Sequence, residues 1–171
     1  IQNIKKKAKT FWPNICCKER KDKTLEVCED PTGTIKRENI IPFAFRGELF
    51  SGTHNFASGG DAFKIALYTA NPYTTSSTVV SATNEVSSAG SSNYTRKALG
   101  SQAVASSTAV ASVDFADSTW SSATFTAAFA AIYNDDKSDK LCVVLDFGGD
   151  KTCTNGTCTV SYPDPATPAN A

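Results

Sequence analysis

The residues that come closest to a chemical motif are Cys153 and Cys158, which flank Asn155-Gly156 in the stretch DKTCTNGTCTV. Such a pair could ligate a metal, exchange electrons or form a structural disulfide. A zinc site needs four ligands, usually in two close pairs, whereas the N-terminal cysteines are an adjacent pair and a single residue with no histidine near them. A redox motif needs Cys-x-x-Cys at a helix N-terminus, and this pair has neither the spacing nor the helix.

The Asn-Gly pair predicts a tight hairpin. Asn155 and Gly156 suit the two central positions of a type I′ turn, which would place Cys153 opposite Cys158 in a non-hydrogen-bonded pair. The Cα atoms of such a pair lie about 4.5 Å apart, at the short end of the range that a disulfide spans. The disulfide would close a short loop and stabilise the fold by about 1–2 kcal/mol. Two free thiols are the alternative.

Other candidate groups have simpler structural explanations. The only histidine, His54, lies near Ser51, but the spacing matches no known nucleophile motif, and a turn histidine bonded to its neighbours is far commoner. The stretch NDDKSDK (134–140) carries three aspartates without the closing glutamate of a calcium loop, which favours a charged turn between strands. We therefore expect no enzymatic activity, catalytic residue, metal site or cofactor.

Charged residues are divided unevenly along a chain that is neutral as a whole. The 171 residues include 17 basic and 17 acidic side chains. Residues 1–40 hold ten basic and six acidic residues, which leaves seven basic and eleven acidic residues in 41–171. Overall neutrality argues against specific nucleic-acid binding and against membrane binding. No apolar run approaches the length of about 18 residues that spans a bilayer.

Residues 1–40 are interpreted as a basic extended arm. Their hydrophobic periodicity is weak, and Pro13 and Pro31 interrupt any long helix. Such an arm would bind phosphate or an acidic partner surface, and a solvated linker is the alternative. The candidate partner-binding residues of the arm are Lys5, Lys6, Lys7, Lys9 and Trp12.

Residues 41–162 are predicted to form a β-domain, because strand-like pieces recur between turn residues from IPFAFRGELF (41–50) onwards. The clearest alternation is in DAFKIALYTA (61–70), which places Phe63, Ile65 and Leu67 on one face. The Ser/Thr/Ala-rich tract 74–93 is either a solvated loop or a weak edge strand.

Two later stretches complete the β pattern. ATFTAAFAAIYND (123–135) places Phe125, Ala127, Phe129 and Ala131 at spacing two, which favours a strand over a helix. KLCVVLDFGG (140–149) is a nearly continuous apolar run, typical of a central strand. We predict an all-β fold with a single β-sandwich or jelly-roll-like domain of about six to eight short strands. The Pro-rich tail over 163–171 follows this domain.

Four stretches carry a family resemblance: FRGELFSGTHNFASGGDAFKIALYTA, TNEVSS, VDFADSTWSSATFTAAFAAIYND and VVLDFGGDKTCTNGTCTVSYP, within roughly residues 43–165. They resemble a family of small structural proteins of tailed bacteriophages. In that family a Phe-x-x-x-Leu/Phe strand leads to Gly-x-His-Asn-Phe, and Tyr-Asn-Asp and Leu-Asp-Phe-Gly-Gly come later. Residues 1–40 and the cysteines of the closing hairpin depart from the family pattern. The motifs carry no catalytic group, so the resemblance implies a building role.

The resemblance implies a virion structural protein, and we expect a capsid decoration (cement) protein that stabilises the head by non-covalent contacts. Its partners would be the major capsid protein, other virion proteins and further copies of this chain on the particle. The alternatives are a tail-associated fibre or adaptor protein and a host-surface carbohydrate-binding module. Five aromatic residues could stack on sugars: Trp12, Tyr73, Tyr94, Trp120 and Tyr133. Because they are scattered along the chain and form no stripe, a role in the core is favoured for them.

Overall fold

A computed structural model describes residues 39–87, 91, 93–106 and 111–162. In this part the chain is mostly β-strand with one α-helix, and the strands form two antiparallel sheets. The prediction of a mainly β fold is therefore confirmed. The elements are α1 (Phe43–Phe50), β1 (Phe63–Tyr68), β2 (Lys97–Leu99), β3 (Ala103–Ser106), β4 (Ala111–Asp114), β5 (Ser118–Asn134), a 3-10 turn (Asp135–Lys137) and β6 (Lys140–Val160).

The larger sheet has the strand order β2-β1-β5-β6, and β3 and β4 form a separate two-stranded ribbon. In β1 every residue except Lys64 is buried, because both faces of the sheet are covered. The alternation predicted for this strand is confirmed: Phe63, Ile65 and Leu67 belong to one core cluster, with Trp120 and Phe125. The opposite face carries a second cluster that includes Ala66, Tyr68, Tyr73, Phe129, Tyr133, Leu141 and Val144.

β6 lies at an edge of the larger sheet, so the prediction that its first half is a central strand was wrong. Its outer side is nevertheless partly paired. The Ile40 N–H donates to the Val144 carbonyl at 2.9 Å, and the Val144 N–H donates back at 2.8 Å. The Leu141 N–H donates to the Thr78 carbonyl at 3.0 Å. Ile40, which the sequence assigned to the arm, therefore belongs to the folded domain.

β5 and β6 contain 17 and 21 residues, so they are not the short strands that were predicted. The pairing of β5 with β6 shifts register between Ala127 and Phe129. A shift of this kind reverses which face the following side chains occupy. Phe125 and Ala127 consequently pack in the first cluster, whereas Phe129 and Ala131 pack in the second. The spacing-two pattern predicted the strand correctly but did not predict this change of face.

The strand-like reading of residues 41–50 was wrong, because Phe43–Phe50 form the helix α1. Pro42 precedes the first turn, and Gly52, with a φ of +69°, follows the last turn. Proline at a helix start and a left-handed glycine after its end are helix signals. The helix also holds Phe45 against Phe56, with ring centroids 6.1 Å apart. These boundary residues are the signal that the strand-like reading overlooked.

The described part of the 74–93 tract is loop with isolated bridges to the sheet. One bridge joins Glu85 to Tyr68. Arg96 fixes this loop because its guanidinium donates to both carboxylate oxygens of Glu85, at 2.8 and 2.7 Å. The same guanidinium lies 5.4 Å from the ring centroid of Tyr133. These contacts attach the loop to the central strand β5.

Candidate functional site

The two cysteines lie at a sharp bend inside β6. The structure joins Cys153 and Cys158 in a disulfide with Cα atoms 6.1 Å apart, whereas five extended residues would separate them by about 16 Å. Each cysteine also has its own partner on β5, since Cys153 pairs with Phe125 and Cys158 with Trp120. The disulfide therefore clamps a bend that both strands share.

The predicted type I′ hairpin does not form at this bend. Such a turn needs a positive φ at both central residues, and only Asn155 has one, at +47°. Gly156 instead pairs with Ala123 of β5, and the register shifts on both sides of that pair. Ser122 on β5 has a φ of +49°, so each strand carries a left-handed residue at the bend. Paired bulges of this kind bend a two-strand ribbon.

A groove with a volume of about 380 Å³ lies beside the clamped bend. Its floor is apolar and its mouth is polar, with Thr152, Thr159 and Ser161. The indole N–H of the buried Trp120 donates to the Thr95 carbonyl at 2.8 Å, so the ring offers the groove no free donor. We call this feature the disulfide groove; its main lining residues are Trp120, Phe125, Phe147, Lys151, Cys153 and Cys158.

Among the described residues that line the disulfide groove, Lys151 is the only charged one. The side chain is exposed, and it makes no ion pair within the described part of the chain. An apolar floor with one free ammonium at its rim suits an apolar ligand that carries a negative charge.

A buried polar network joins α1 to the ends of β5 and β6. Nε2 of His54 donates to the Glu48 carboxylate at 3.0 Å, and its Nδ1 accepts from Nδ2 of Asn134 at 2.9 Å. Nδ2 of Asn134 also donates to Asp61 at 2.9 Å, and Lys140 pairs with Glu48. His54 and Asn134 are 8% and 0% exposed. Residues of four different segments are therefore held together by this network.

Both carboxylates of the network have lowered pKa values. For Glu48, burial alone would raise the pKa, but the hydrogen bonds from Lys140 and His54 outweigh it and leave the pKa below 4.5. For Asp61, burial also raises the pKa, but the hydrogen bonds from the Asn55 N–H and from Asn134 lower it by more, so the pKa lies below 3.8. Both groups are consequently ionised at neutral pH, when their partners can bind them.

The network does not place His54 beside a nucleophile. Both of its ring nitrogens are occupied, and the hydroxyl of Ser51 instead bonds the Thr53 hydroxyl at 2.8 Å and the Glu48 carbonyl at 3.1 Å. Within the described residues, no group of three or more His, Cys, Asp or Glu side chains is placed to hold a metal ion. The NDDKSDK stretch forms the predicted charged turn, where Asp135 pairs with Lys64 at 2.8 Å.

α1 presents an apolar surface to solvent, which the sequence analysis missed. Phe43 is 62% exposed, Leu49 41% and Phe50 94%. Arg46 lies over the Phe43 ring, 5.3 Å from its centroid. These four residues form what we call the α1 surface. The signal that could have found it is the spacing of Phe43, Arg46 and Phe50, which share one face of a helix.

The predicted site residues have different outcomes. Cys153 and Cys158 are brought together as described above, whereas the arm residues Lys5, Lys6, Lys7, Lys9 and Trp12 lie outside the described residues. Of the aromatic candidates for sugar stacking, Tyr73, Trp120 and Tyr133 are buried, and Tyr94 is half-buried.

Comparison with family models, with curated proteins and with solved structures gave no match for this chain. In the part of the chain that the structure describes, no helix has the length and apolar character needed to cross a membrane.

Proposed function

We propose that this protein is a structural component of a tailed-bacteriophage virion and that it decorates the capsid. It would bind the major capsid protein or other head proteins without covalent bonds, in many copies on the head surface. The family resemblance of residues 43–165 motivates the proposal, and the α1 surface is the observation that carries it.

An exposed aromatic cluster on a short helix is the kind of feature that marks a protein contact. Isolated exposed apolar residues are common on soluble proteins, but several on one face indicate an interaction site. Large aromatic side chains supply most of the binding energy at such sites when they enter a pocket on the partner. Phe50, at 94% exposure, has almost its whole side chain available for this purpose.

The arm extends the proposed contact. The described chain begins at Asn39, four residues before α1, so the arm precedes the α1 surface closely in the sequence. Lys5, Lys6, Lys7, Lys9 and Trp12 would bind an acidic area of the capsid or of a neighbouring copy. Many such weak contacts, repeated over a symmetric lattice, give strong overall retention.

The finer fold assignment is part of the same proposal. The four-stranded sheet and the β3–β4 ribbon would be the two layers of a sandwich or jelly-roll-like domain. An experimental structure of the protein on its particle would test this arrangement.

Rebinding to virions that lack the protein tests the proposed function. Recombinant wild-type protein should bind the heads, and Phe50→Glu should weaken retention by about tenfold or more, because a charge would enter an apolar contact. Val104→Glu is the matched control, since Val104 is 57% exposed on the separate ribbon. The free energy of unfolding of both variants should lie within about 0.5 kcal/mol of the wild-type value. Equal retention of both variants would refute the role of the α1 surface.

The copy number per virion separates head decoration from the tail alternative. A decoration protein should be present in several hundred copies, whereas a tail fibre or adaptor should be present in about a dozen or fewer. Retention on a glycan array, together with normal heads in virions that lack the protein, would instead support a carbohydrate-binding module.

A further inference from the structure

Gly47 lies in the interior of α1, where glycine is an unfavourable residue. Glycine loses more conformational freedom on folding than any other residue and is among the weakest helix formers. Two features of a fold can require it, namely a left-handed backbone or a crowded Cβ position. Gly52 has the first, with a φ of +69°, and Gly60 has the second, since its Cβ would clash with the Asn55 carbonyl oxygen.

Neither feature is present at Gly47. Its φ lies outside the left-handed region, and a Cβ at this position would meet no atom within 4 Å apart from the helix backbone and the chain neighbours. The residue is also exposed. The described domain would therefore accept alanine here and gain helix stability from it. The packing of this domain gives no reason for the glycine, which directs attention to a contact outside the domain.

Gly47 falls in the middle of the α1 surface. Residues 43, 46, 47 and 50 have the spacing i, i+3, i+4 and i+7, so they share one face of the helix. Phe43 and Phe50, which are 62% and 94% exposed, stand on either side of a position that has no side chain. We call this gap, bounded by Phe43, Gly47 and Phe50, the Gly47 notch. A glycine so placed lets a binding partner come close to the helix backbone.

Arg46 gives the Gly47 notch a positive rim. Its side chain is exposed and makes no ion pair within the described part of the chain. The guanidinium is held over the Phe43 ring and donates to the Ile41 carbonyl at 3.1 Å. The other charged residue of α1, Glu48, is already paired within the buried polar network. An ordered arginine beside exposed aromatic rings matches a carboxylate that stands next to an apolar side chain.

This charge also distinguishes the possible occupants of the Gly47 notch. Two copies that met through their α1 surfaces would bring like-charged Arg46 side chains together, which disfavours a second copy. The arm over residues 1–40 has ten basic and six acidic residues, so its net charge opposes binding beside Arg46. An anionic membrane would match the charge, but a fluid surface has no fixed ridge to enter a notch. An acidic surface of another protein matches both the charge and the shape.

We propose that a head protein of the particle crosses α1 at Gly47, with an apolar side chain of that protein in the Gly47 notch and one of its carboxylates on Arg46. This inference deepens the proposed function and rests on it, because the crossing protein is the one to which the α1 surface binds. Gly47 thus sets how closely the two proteins approach. The closer contact offsets the cost of a glycine in the helix.

Substitutions of increasing size at Gly47 test the inference, with rebinding of the full-length protein to virions that lack it as the readout. Gly47→Ala should weaken retention about threefold and Gly47→Leu about tenfold or more, because each side chain holds the partner away from the helix. Gly47→Ala should also raise the melting temperature by about 1–4 °C, so its loss of binding cannot come from a loss of folding. Gly100→Ala is the matched control, because Gly100 is exposed and has an equally open Cβ position, and it should leave retention unchanged.

Variants of Arg46 test the predicted carboxylate. Arg46→Glu should weaken retention about fivefold or more, since it replaces an attraction with a repulsion. Arg46→Lys should lose less, because it keeps the charge and loses only the planar fork of donors. A rise in salt from about 0.05 to 0.5 M should weaken retention of the wild type more than that of Arg46→Gln, because glutamine has no charge for the salt to screen.

The inference is overturned if heads retain Gly47→Leu as well as wild type, or if salt affects wild type and Arg46→Gln equally. Phe50→Glu measures the α1 surface separately, so a weakened Phe50→Glu beside an unaffected Gly47→Leu would remove this inference and leave the proposed function standing. Self-association of the wild type that Gly47→Leu abolishes, seen by analytical ultracentrifugation, would also overturn it in favour of a second copy. Retention on phosphatidylserine vesicles that Gly47→Leu leaves unchanged, without retention on heads, would overturn it in favour of a membrane.

Discussion

Replacement of Asn134 by alanine should destabilise the protein by about 2–3 kcal/mol. Asn134 is fully buried and donates to both Nδ1 of His54 and the Asp61 carboxylate, each at 2.9 Å. A hydrogen bond to a charged acceptor contributes about 1.5–3 kcal/mol and a neutral one about 1 kcal/mol. Its carbonyl oxygen is buried and has no hydrogen-bond partner among the described residues, so its removal offsets about 1 kcal/mol of that loss.

Urea unfolding at pH 7, followed by circular dichroism, measures this loss. For a slope of about 2 kcal/mol per molar urea, the midpoint should fall by about 1–1.5 M. Asn71→Ala is the matched control, because the Asn71 side chain only accepts a local hydrogen bond from the Tyr73 N–H at 2.8 Å. If Asn134→Ala shifts the midpoint no more than this control does, the network does not hold the four segments together.

The same urea unfolding experiment can be repeated at lower pH. The lowered pKa values of Glu48 and Asp61 stabilise the fold above the ordinary values of 4.5 and 3.8, and this stabilisation is lost as pH falls through the lower folded-state values. The urea midpoint should therefore change little between about pH 7 and 5 and drop below about pH 4.5. Asp61→Asn should make the drop shallower, and an unchanged acid profile in this variant would contradict the assignment.

Three further perturbations test other parts of the fold. The double variant Cys153→Ser, Cys158→Ser should lose about 2 kcal/mol of unfolding free energy, through the entropy of the five-residue loop. Reductant should lower the melting temperature of the wild type by the same amount as the double substitution does. Identical melts of the wild type with and without reductant would contradict a stabilising clamp. Gly60→Ala should destabilise by more than about 2 kcal/mol, because its Cβ would lie 2.8 Å from the Ala57 carbonyl oxygen. Gly47→Ala, in open space on α1, should instead stabilise by up to about 1 kcal/mol in the same melts. The buried Cys142 thiol, whose pKa burial raises, should resist alkylation at pH 8 until denaturant is added, as peptide mapping would show.

Sequence patterns predicted the strands well where the pattern is local. Alternation over 61–70 identified β1, and the Thr- and Phe-rich stretch at 123–135 was correctly read as strand. Period-two patterning reflects the geometry of the strand itself, so a short window suffices. The helix α1 was missed because eight residues with low amphipathicity give a weak periodic signal, and its contacts with Phe56 and His54 come from outside the helix.

The polar network and the groove depended on residues far apart in the chain. Asn134 and His54 are 80 residues apart, and each looks like an ordinary turn residue in the sequence. Trp120 and Lys151 line one groove only because β5 pairs with β6 in a register that shifts at bulges. Such shifts depend on competing packing across the sheet, which local residue preference does not report.

The sequence by itself determined which stretches are extended, that the charged turn at 134–140 joins two strands, and that Cys153 and Cys158 are close enough along the chain to pair. Only the tertiary structure decided that β6 is an edge strand, that the cysteines clamp a bend rather than a hairpin, and that Phe50 faces solvent. The physical reason is that conformational preference acts over a few residues, whereas burial, edge position and bending are set by the partners that the rest of the chain supplies.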